Sequence, residues 1–146
     1  MNPTIQNRQA RFAYHLDDFF TAGLQLYGTE VKSLREGKAN LSDSYCYLNE
    51  RGELYIKNLH IAEFRLGTYS NHLPLRERKL LLKKNELAKI QKALKDVGTT
   101  IVPLKLFFSA RGWAKLEIAT AKGKKLHDKR AALKERDIDR DTKREI

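Results

Sequence analysis

Hydrophobic and polar residues alternate along several short stretches of the chain, and a period of two is typical of half-buried β-strands. Six stretches are predicted as strands on this basis: residues 11–16, 23–27, 44–48, 53–56, 99–108 and 113–120. Two of the intervals between them, 49–52 and 109–112, end in glycine, which suits the left-handed position of a hairpin turn. The pattern therefore predicts two hairpins, with a further extended segment at 58–64, a loop at 65–77 and a loose N-terminus over residues 1–9.

Two other segments have the spacing of amphipathic helices. Residues 29–36 place Val31 and Leu34 on one face, and Gly37 stands where such a helix should end. Within residues 81–97, lysines occupy one face and Gly98 follows the last turn. The opposite face of that segment is an apolar stripe of Leu87, Ile90, Leu94 and Val97.

Short antiparallel strands with two or three helices favour a small β-barrel over a sandwich. The predicted fold is mainly β with about three helices, an oligonucleotide-binding-type antiparallel β-barrel. A chain of 146 residues is long enough for one such domain, which we place at residues 1–125. Residues 126–146 have few apolar side chains and form a predicted C-terminal tail that is disordered when free.

The net charge adds a class of partner to this picture. The chain has 29 Lys and Arg residues against 18 Asp and Glu, a net charge of +11. Residues 128–146 contain seven basic and six acidic residues, so nearly all of the excess belongs to the predicted barrel. Positive charge on this scale attracts phosphate, which makes nucleic acid the leading partner and an anionic membrane surface the other one.

The residues that could support catalysis or bind a metal are few and scattered. The single cysteine, Cys46, excludes an internal disulfide, and the four histidines lack the spacing of metal ligands. The sequence contains neither a phosphate-binding glycine loop nor a zinc-hydrolase motif. We therefore expect that the protein is not an enzyme and that it binds no cofactor and no metal. His127 beside Asp128 leaves a small ribonuclease as a remote alternative. No apolar signal core or membrane-spanning stretch is present, which predicts a soluble cytoplasmic protein without a membrane partner.

Three basic clusters favour RNA. They lie at residues 32–38, 76–79 and 121–125, and lysine and arginine both bind phosphate. Aromatic residues near the N-terminus could stack on unpaired bases, although core packing is the commoner role for any one of them. From these features alone, a generic single-stranded RNA-binding module remains open as an alternative.

Four sequence segments, in order, resemble a known family. They are AGLQLYGTEVKSLREGKANLSDSY at 22–45, RKLLL at 78–82, VPLKLFF at 102–108 and AKGKKLHDKR at 121–130. Together they are similar to small protein B, the SsrA-binding (tmRNA-binding) family of bacterial trans-translation, over almost the whole chain.

The resemblance implies a function in ribosome rescue. Family members bind the tRNA-like domain of tmRNA, promote its alanyl charging, and deliver it to ribosomes stalled on messages without a stop codon. Elongation factor Tu takes part indirectly, through tmRNA. On the small subunit the tail orders as a helix in the empty mRNA channel, where the protein stands in for codon–anticodon pairing. The implied partners are tmRNA and the small-subunit rRNA of the decoding centre and mRNA channel, with no DNA.

The resemblance also implies which residues bind. The tmRNA-binding residues should be Glu30, Lys32, Ser33, Arg35, Lys38, Asn40, Arg78, Lys79, Leu81 and Lys115. The residues at the ribosomal decoding site and in the tail should be Phe12, Gly123 as a hinge, Lys124, Lys125, Asp128, Lys129 and Arg130. Two positions depart from the family: many members have histidine at the position of Phe12 and glutamate at that of Thr21.

Overall fold

This computed structural model describes residues 3–67 and 71–123 of the chain. These residues contain nine strands and three helices. The strands are β1 (Ile5–Gln6), β2 (Tyr14–Leu24), β3 (Ala39–Asn40), β4 (Tyr45–Leu48), β5 (Leu54–Lys57), β6 (His60–Ile61), β7 (Arg78–Leu81), β8 (Thr99–Phe108) and β9 (Ala114–Gly123). The helices are α1 (Ala10–Ala13), α2 (Gly28–Arg35) and α3 (Lys84–Ala93).

Six of the strands close into an antiparallel barrel. Their order is β8-β4-β5-β7-β2-β9, and β9 pairs with β8 to complete the ring. The long β2–β9 and β8–β9 ladders form most of the wall. Strand β1 adds to β8 opposite Leu106, and β3 pairs with β6 in a separate two-stranded ribbon. The predicted antiparallel barrel of the oligonucleotide-binding type is confirmed.

Alternating side chains of the strands fill the barrel. On β9, Leu116 and Ile118 point inward and are fully buried, as are Leu54 and Ile56 on β5. Ile90 of α3 joins the same core cluster, which fixes this helix against the barrel. Each such side chain contributes about 1.5–3 kcal/mol when it is removed from water. Within the described ranges, no helix is long and apolar enough to span a membrane.

The N-terminal elements differ from the prediction. Residues 14–24 form one long strand instead of the two short strands predicted for 11–16 and 23–27. The polar pair Asp17–Asp18 lies at a register irregularity within this strand, where the Asp18 amide donates to the Thr120 hydroxyl at 3.1 Å. Residues 10–13 are helical, and part of the predicted loose N-terminus is strand β1.

Strand β7 was not predicted because an arginine faces the interior. Its residues alternate as Arg78 buried, Lys79 outward, Leu80 buried and Leu81 outward. With arginine in a core position, the alternation of apolar and polar residues disappears from the sequence. The helices at 29–36 and within 81–97 are confirmed, although α3 ends at Ala93 and leaves Val97, the last residue of the predicted stripe, 85% exposed.

Candidate nucleic-acid interface

Helix α2 is the centre of the candidate interface, and its two faces differ in character. Glu30, Ser33 and Leu34 are buried toward the barrel. Lys32 and Arg35 are exposed on the other side. The Glu30 carboxylate, in the first turn, accepts a hydrogen bond from the Tyr27 amide at 2.7 Å and so satisfies one of the free N–H groups at the helix start.

The Glu30 carboxylate also joins α2 to the segment before and within β7. Arg76 donates to its Oε1 from Nη2 at 2.7 Å, and Arg78 donates to its Oε2 from Nε at 2.6 Å. Arg78 completes its hydrogen bonds on the carbonyls of Leu59 and Pro74. The side chains of Glu30 and Arg78 are both 0% exposed. This buried network holds α2 in place across sequence separations of 46 and 48 residues.

The protonation state of Glu30 follows from these contacts. Burial alone raises the pKa of this carboxyl, because it disfavours the charged form. The hydrogen bonds from Arg76, the Tyr27 amide and Arg78 lower it by more, so the net pKa lies below the ordinary value of 4.5. Glu30 is therefore ionised at neutral pH and belongs to a charged pair.

Burial removes three predicted RNA-contact residues from the surface. Glu30, Ser33 and Arg78 leave no side-chain area for an RNA to touch. Glu30 and Arg78 instead fix the position of α2 through their buried ion pair. For Ser33, the described contacts include no hydrogen-bond partner for its buried hydroxyl, and its part is to pack α2 closely.

The exposed cations of α2 are held by aromatic rings. The Lys32 ammonium lies 5.5 Å from the Phe64 ring centroid, and the Arg35 guanidinium lies 5.7 Å from that of Phe108. Such contacts contribute about 0.5–1 kcal/mol at exposed sites and restrict the side chain without neutralising it. Beyond the helix, Lys38 is exposed and pairs with Glu36 at 3.4 Å.

Asn40 and Lys79 are engaged with neighbours. The Asn40 side-chain oxygen accepts hydrogen bonds from the amide and hydroxyl of Ser42, which leaves its NH₂ group as the free donor. Lys79 points outward from β7 and donates to Glu53 at 2.8 Å, which raises the pKa of the lysine. The structure therefore separates Lys79 from Arg78 and places it on the outer face of β5 and β7.

A groove beside α2 brings Leu81 and Lys115 together. Gly23 of β2 pairs with Leu81 on one side and with Lys115 on the other. A β-carbon on Gly23 would lie 3.4 Å from that of Leu81, an ordinary van der Waals distance. The groove has a volume of about 640 Å³, and its walls include Val31 of α2 and Trp113.

Trp113 is the residue that the sequence prediction missed. It precedes β9 in the turn after Gly112, and its side chain is 67% exposed at the edge of the groove. The pattern of the sequence predicts that Trp113 begins a strand, where half burial is the usual outcome. The exposed indole of Trp113, next to Leu81, offers a ring for base stacking. The Lys115 ammonium beside it offers a positive charge for a phosphate. Arg76, stacked 4.2 Å from the Tyr27 ring, extends the same side of the molecule.

The predicted decoding-site residues that the structure describes lie at another part of the barrel. Phe12 in α1 is 81% exposed and borders a groove with Arg8 and Lys105. Gly123 ends β9 and pairs with Tyr14, and Tyr14 follows Phe12 by two residues in the sequence. The structure thus brings Phe12 close to the point where the tail begins. Thr21, the other departure from the family, is exposed on β2 opposite Glu117. The remaining predicted residues, Lys124, Lys125, Asp128, Lys129 and Arg130, lie outside the described residues.

The described residues supply no alternative site for a metal. In residues 3–67 and 71–123, no three side chains of His, Cys, Asp or Glu form a group that could hold a metal ion. His72 is buried, with one ring nitrogen 2.9 Å from the Ile61 carbonyl and the other 2.9 Å from the Thr29 hydroxyl. Cys46 is buried as well, which raises the pKa of its thiol and makes it unreactive.

Comparison with known proteins agrees with this geometry. The family model described as SmpB protein matches residues 4–146. The SsrA-binding protein of Bacteroides thetaiotaomicron is 54% identical over 140 residues, covering 96% of this chain and 93% of its own length. That of Phocaeicola vulgatus is 54% identical over 147 residues, covering 99% and 97%. A solved chain described as "tmRNA-SmpB: a journey to the center of the bacterial ribosome" superposes with a TM-score of 0.69 at 46% identity, covering 84% of this chain and 85% of that one.

Proposed function

The chain belongs to the SmpB family of SsrA-binding proteins, and on this basis we propose that it binds tmRNA and brings it to stalled ribosomes in trans-translation. Its ligand on the α2 side is the tRNA-like domain of tmRNA. The single observation that carries this assignment is the groove in which Trp113, Leu81 and Lys115 meet beside the exposed cations of α2. Stacking surface and positive charge in one place suit folded RNA with some unpaired bases.

The contacts divide into two kinds. Lys32, Arg35, Lys38 and Lys115 bind phosphates, and Asn40 offers its amide donors. Leu81 and Trp113 pack against the RNA beside them. Glu30 and Arg78 act from beneath by fixing α2, so their contribution to binding is through position.

The second half of the proposal concerns the small ribosomal subunit. We assign Phe12 and the segment that begins at Gly123 to the decoding centre, with Lys124, Lys125, Asp128, Lys129 and Arg130 as its rRNA contacts. Residues 126–146 enter the empty mRNA channel and form a helix there. Phe12 can stack on a base but donates no hydrogen bond. Elongation factor Tu joins the assembly through tmRNA. The protein itself acts as an adaptor in the cytoplasm and not as an enzyme, since the ribosome makes the peptide bond.

A generic single-stranded RNA-binding module is the second candidate, and one feature favours it. Tyr47 and Tyr55 stack at 6.0 Å on the outer face of β4 and β5. However, the Lys57 ammonium lies 5.1 Å from the Tyr47 ring, and the Tyr47 hydroxyl donates to Glu77. Because both the ring and the hydroxyl of Tyr47 are engaged, this residue offers less surface for base stacking than the exposed Trp113.

Changing Lys115 to Glu tests the proposed surface. We expect the affinity for the tRNA-like domain to fall about tenfold or more in 0.1 M salt, because one phosphate contact is replaced by repulsion. If about five to eight phosphates are neutralised, log affinity of the original chain should fall against log salt with a slope of about −3.5 to −7. The slope of the variant should be shallower by about 0.9. Trp113 is the only tryptophan, so its fluorescence reports the titration directly.

The matched control is Lys122→Glu, the same charge change on the same strand but at the end paired with His15. Its affinity should stay within about twofold of the original chain, and thermal unfolding should be nearly unchanged for both variants. Equal losses in the two variants would show a general charge effect and contradict the surface assignment. Loss of folding in Lys115→Glu alone would give that side chain a structural role.

A further inference from the structure

The outer face of α3 has a concentration of positive charge that the proposed function does not use. Lys84, Lys89 and Lys92 are exposed along the helix, with Lys83 and Lys95 just beyond its two ends. They are five of the 22 basic residues that precede His127. The two acidic residues between positions 83 and 97 are Glu86 and Asp96, so this segment has a net charge of +3.

The part of the chain that the structure describes gives these lysines no acidic partner. Among the described residues, none of the five ammonium groups lies within ion-pair distance of a carboxylate. Glu86 is turned to the start of the helix, where its carboxylate accepts from the Lys83 amide at 3.1 Å. The charge of the face is therefore available to a ligand.

The orientation of the face is fixed by what lies beneath it. Ile90 is fully buried in the barrel core, and Leu87 and Leu94 pack against the same cluster. The Gln91 amide donates to the Gly52 carbonyl at 3.1 Å, which ties the helix to the β4–β5 turn. At about 100° per residue, Lys84, Lys89 and Lys92 fall within an arc of about 140° on the side opposite Ile90, and Lys95 follows the end of the helix.

We propose that the lysine face of α3 is a second RNA surface, which binds the phosphate backbone of double-stranded RNA. Lys84 and Lys92 are about 12 Å apart along the axis, given a rise of about 1.5 Å per residue. A duplex presents on the order of one phosphate charge per 1.7 Å of its axis, so several phosphates face a row of this length.

The composition of the face determines the kind of RNA. Residues 82–98 contain no Phe, Tyr or Trp. Without an aromatic ring there is nothing on which an unpaired base could stack, in contrast to the groove at Trp113. Phosphate is the group that lysine recognises here, and a duplex presents phosphates without requiring its bases to be bound. This surface is separate from the groove and does not depend on the function proposed for it.

The test is the double variant Lys89→Glu with Lys92→Glu, titrated with a blunt RNA duplex of about 16 base pairs that has no unpaired bases. Two lost phosphate contacts should make the slope of log affinity against log salt shallower by about 1.8. The affinity in 0.1 M salt should fall about tenfold or more. Lys89→Arg with Lys92→Arg, which keeps both charges, should bind like the original chain.

The variant Lys115→Glu distinguishes this proposal from the previous one. It should leave the affinity for the duplex within about twofold and lower the affinity for the tRNA-like domain. An unchanged duplex affinity in the double glutamate variant would overturn the proposal and leave the face to an acidic protein. If that variant fails to fold, Lys89→Gln with Lys92→Gln serves in its place. Because it removes two charges without reversing them, it should weaken duplex binding by about half as much on a logarithmic scale.

Discussion

A chain that ends after Lys125 should bind the tRNA-like domain of tmRNA with nearly unchanged affinity. It should nevertheless fail to support tagging of the nascent chain on stalled ribosomes. The binding half of this expectation rests on the barrel. Strand β9 ends at Gly123, and the described residues of the groove beside α2 all precede that position. The barrel ring closes through the β8–β9 ladder, which pairs residues 99–108 with residues 114–122.

The tagging half rests on the charges of the missing segment. Residues 128–146 contain seven basic and six acidic residues. At helical spacing the pairs are mixed, because Asp139 with Lys143 attract while Arg136 with Arg140 and Asp137 with Asp141 repel. In the proposed complex, rRNA phosphates would satisfy the cations of this segment when it binds.

Both activities should be measured on the same truncated protein, with full-length Lys115→Glu beside it. The truncated chain should bind RNA and fail to tag, and the point variant should fail at RNA binding itself. Tagging by the truncated chain would remove the decoding role given to Asp128, Lys129 and Arg130. Loss of RNA binding in the truncated chain would show that the domain extends beyond residue 125.

Replacing Glu30 by alanine should lower the free energy of unfolding by about 3–5 kcal/mol. The change leaves the fully buried Arg78 guanidinium without its carboxylate, and an unpaired buried charge is far more costly than a lost surface contact. Stabilities of small domains are about 5–15 kcal/mol, so this is a large share of the total. Urea unfolding measures it, and Glu36→Ala is the control: Glu36 pairs with Lys38 near the surface and should contribute about 1 kcal/mol or less.

Acid should weaken the same network in the unmodified protein. Because the pKa of Glu30 is lower in the folded chain than its ordinary value of 4.5, the unfolded chain takes up protons first as the pH falls. The stability from Glu30 is therefore complete above that value and is lost as the pH drops through the folded pKa. Glu30→Ala should show a smaller loss over this range, whereas an equal loss would mean that folding leaves the pKa of Glu30 unchanged.

The sequence could predict elements whose signal is local. The α2 helix, the turn at Gly52 with a φ of 78° and the β8–β9 hairpin all follow from spacing within a few residues. Their side chains alternate or repeat with a clear period, and glycine stands where a left-handed backbone is needed.

The sequence could not show which charges belong to the surface. Residues 76–79 look like one basic cluster, but Arg76 and Arg78 bind Glu30 while Lys79 binds Glu53. The two glutamates are 26 to 48 residues away from these cations in the sequence. The pairing of β5 with β7 and the packing of α2 against the barrel bring them together. The same limit hid Trp113, whose place in the groove beside Gly23 and Leu81 follows from the pairing of strands that are distant in sequence.

The most direct test of the account is to identify the RNA that this protein binds in its own cell. The tagged full-length chain would be recovered after cross-linking, and the RNA attached to it sequenced. We predict that tmRNA dominates, with cross-links in its tRNA-like domain, and that Lys115→Glu depletes tmRNA relative to rRNA. A broad mixture of unstructured messages, equally abundant in the original chain and the variant, would contradict the account and favour a generic single-stranded RNA-binding module.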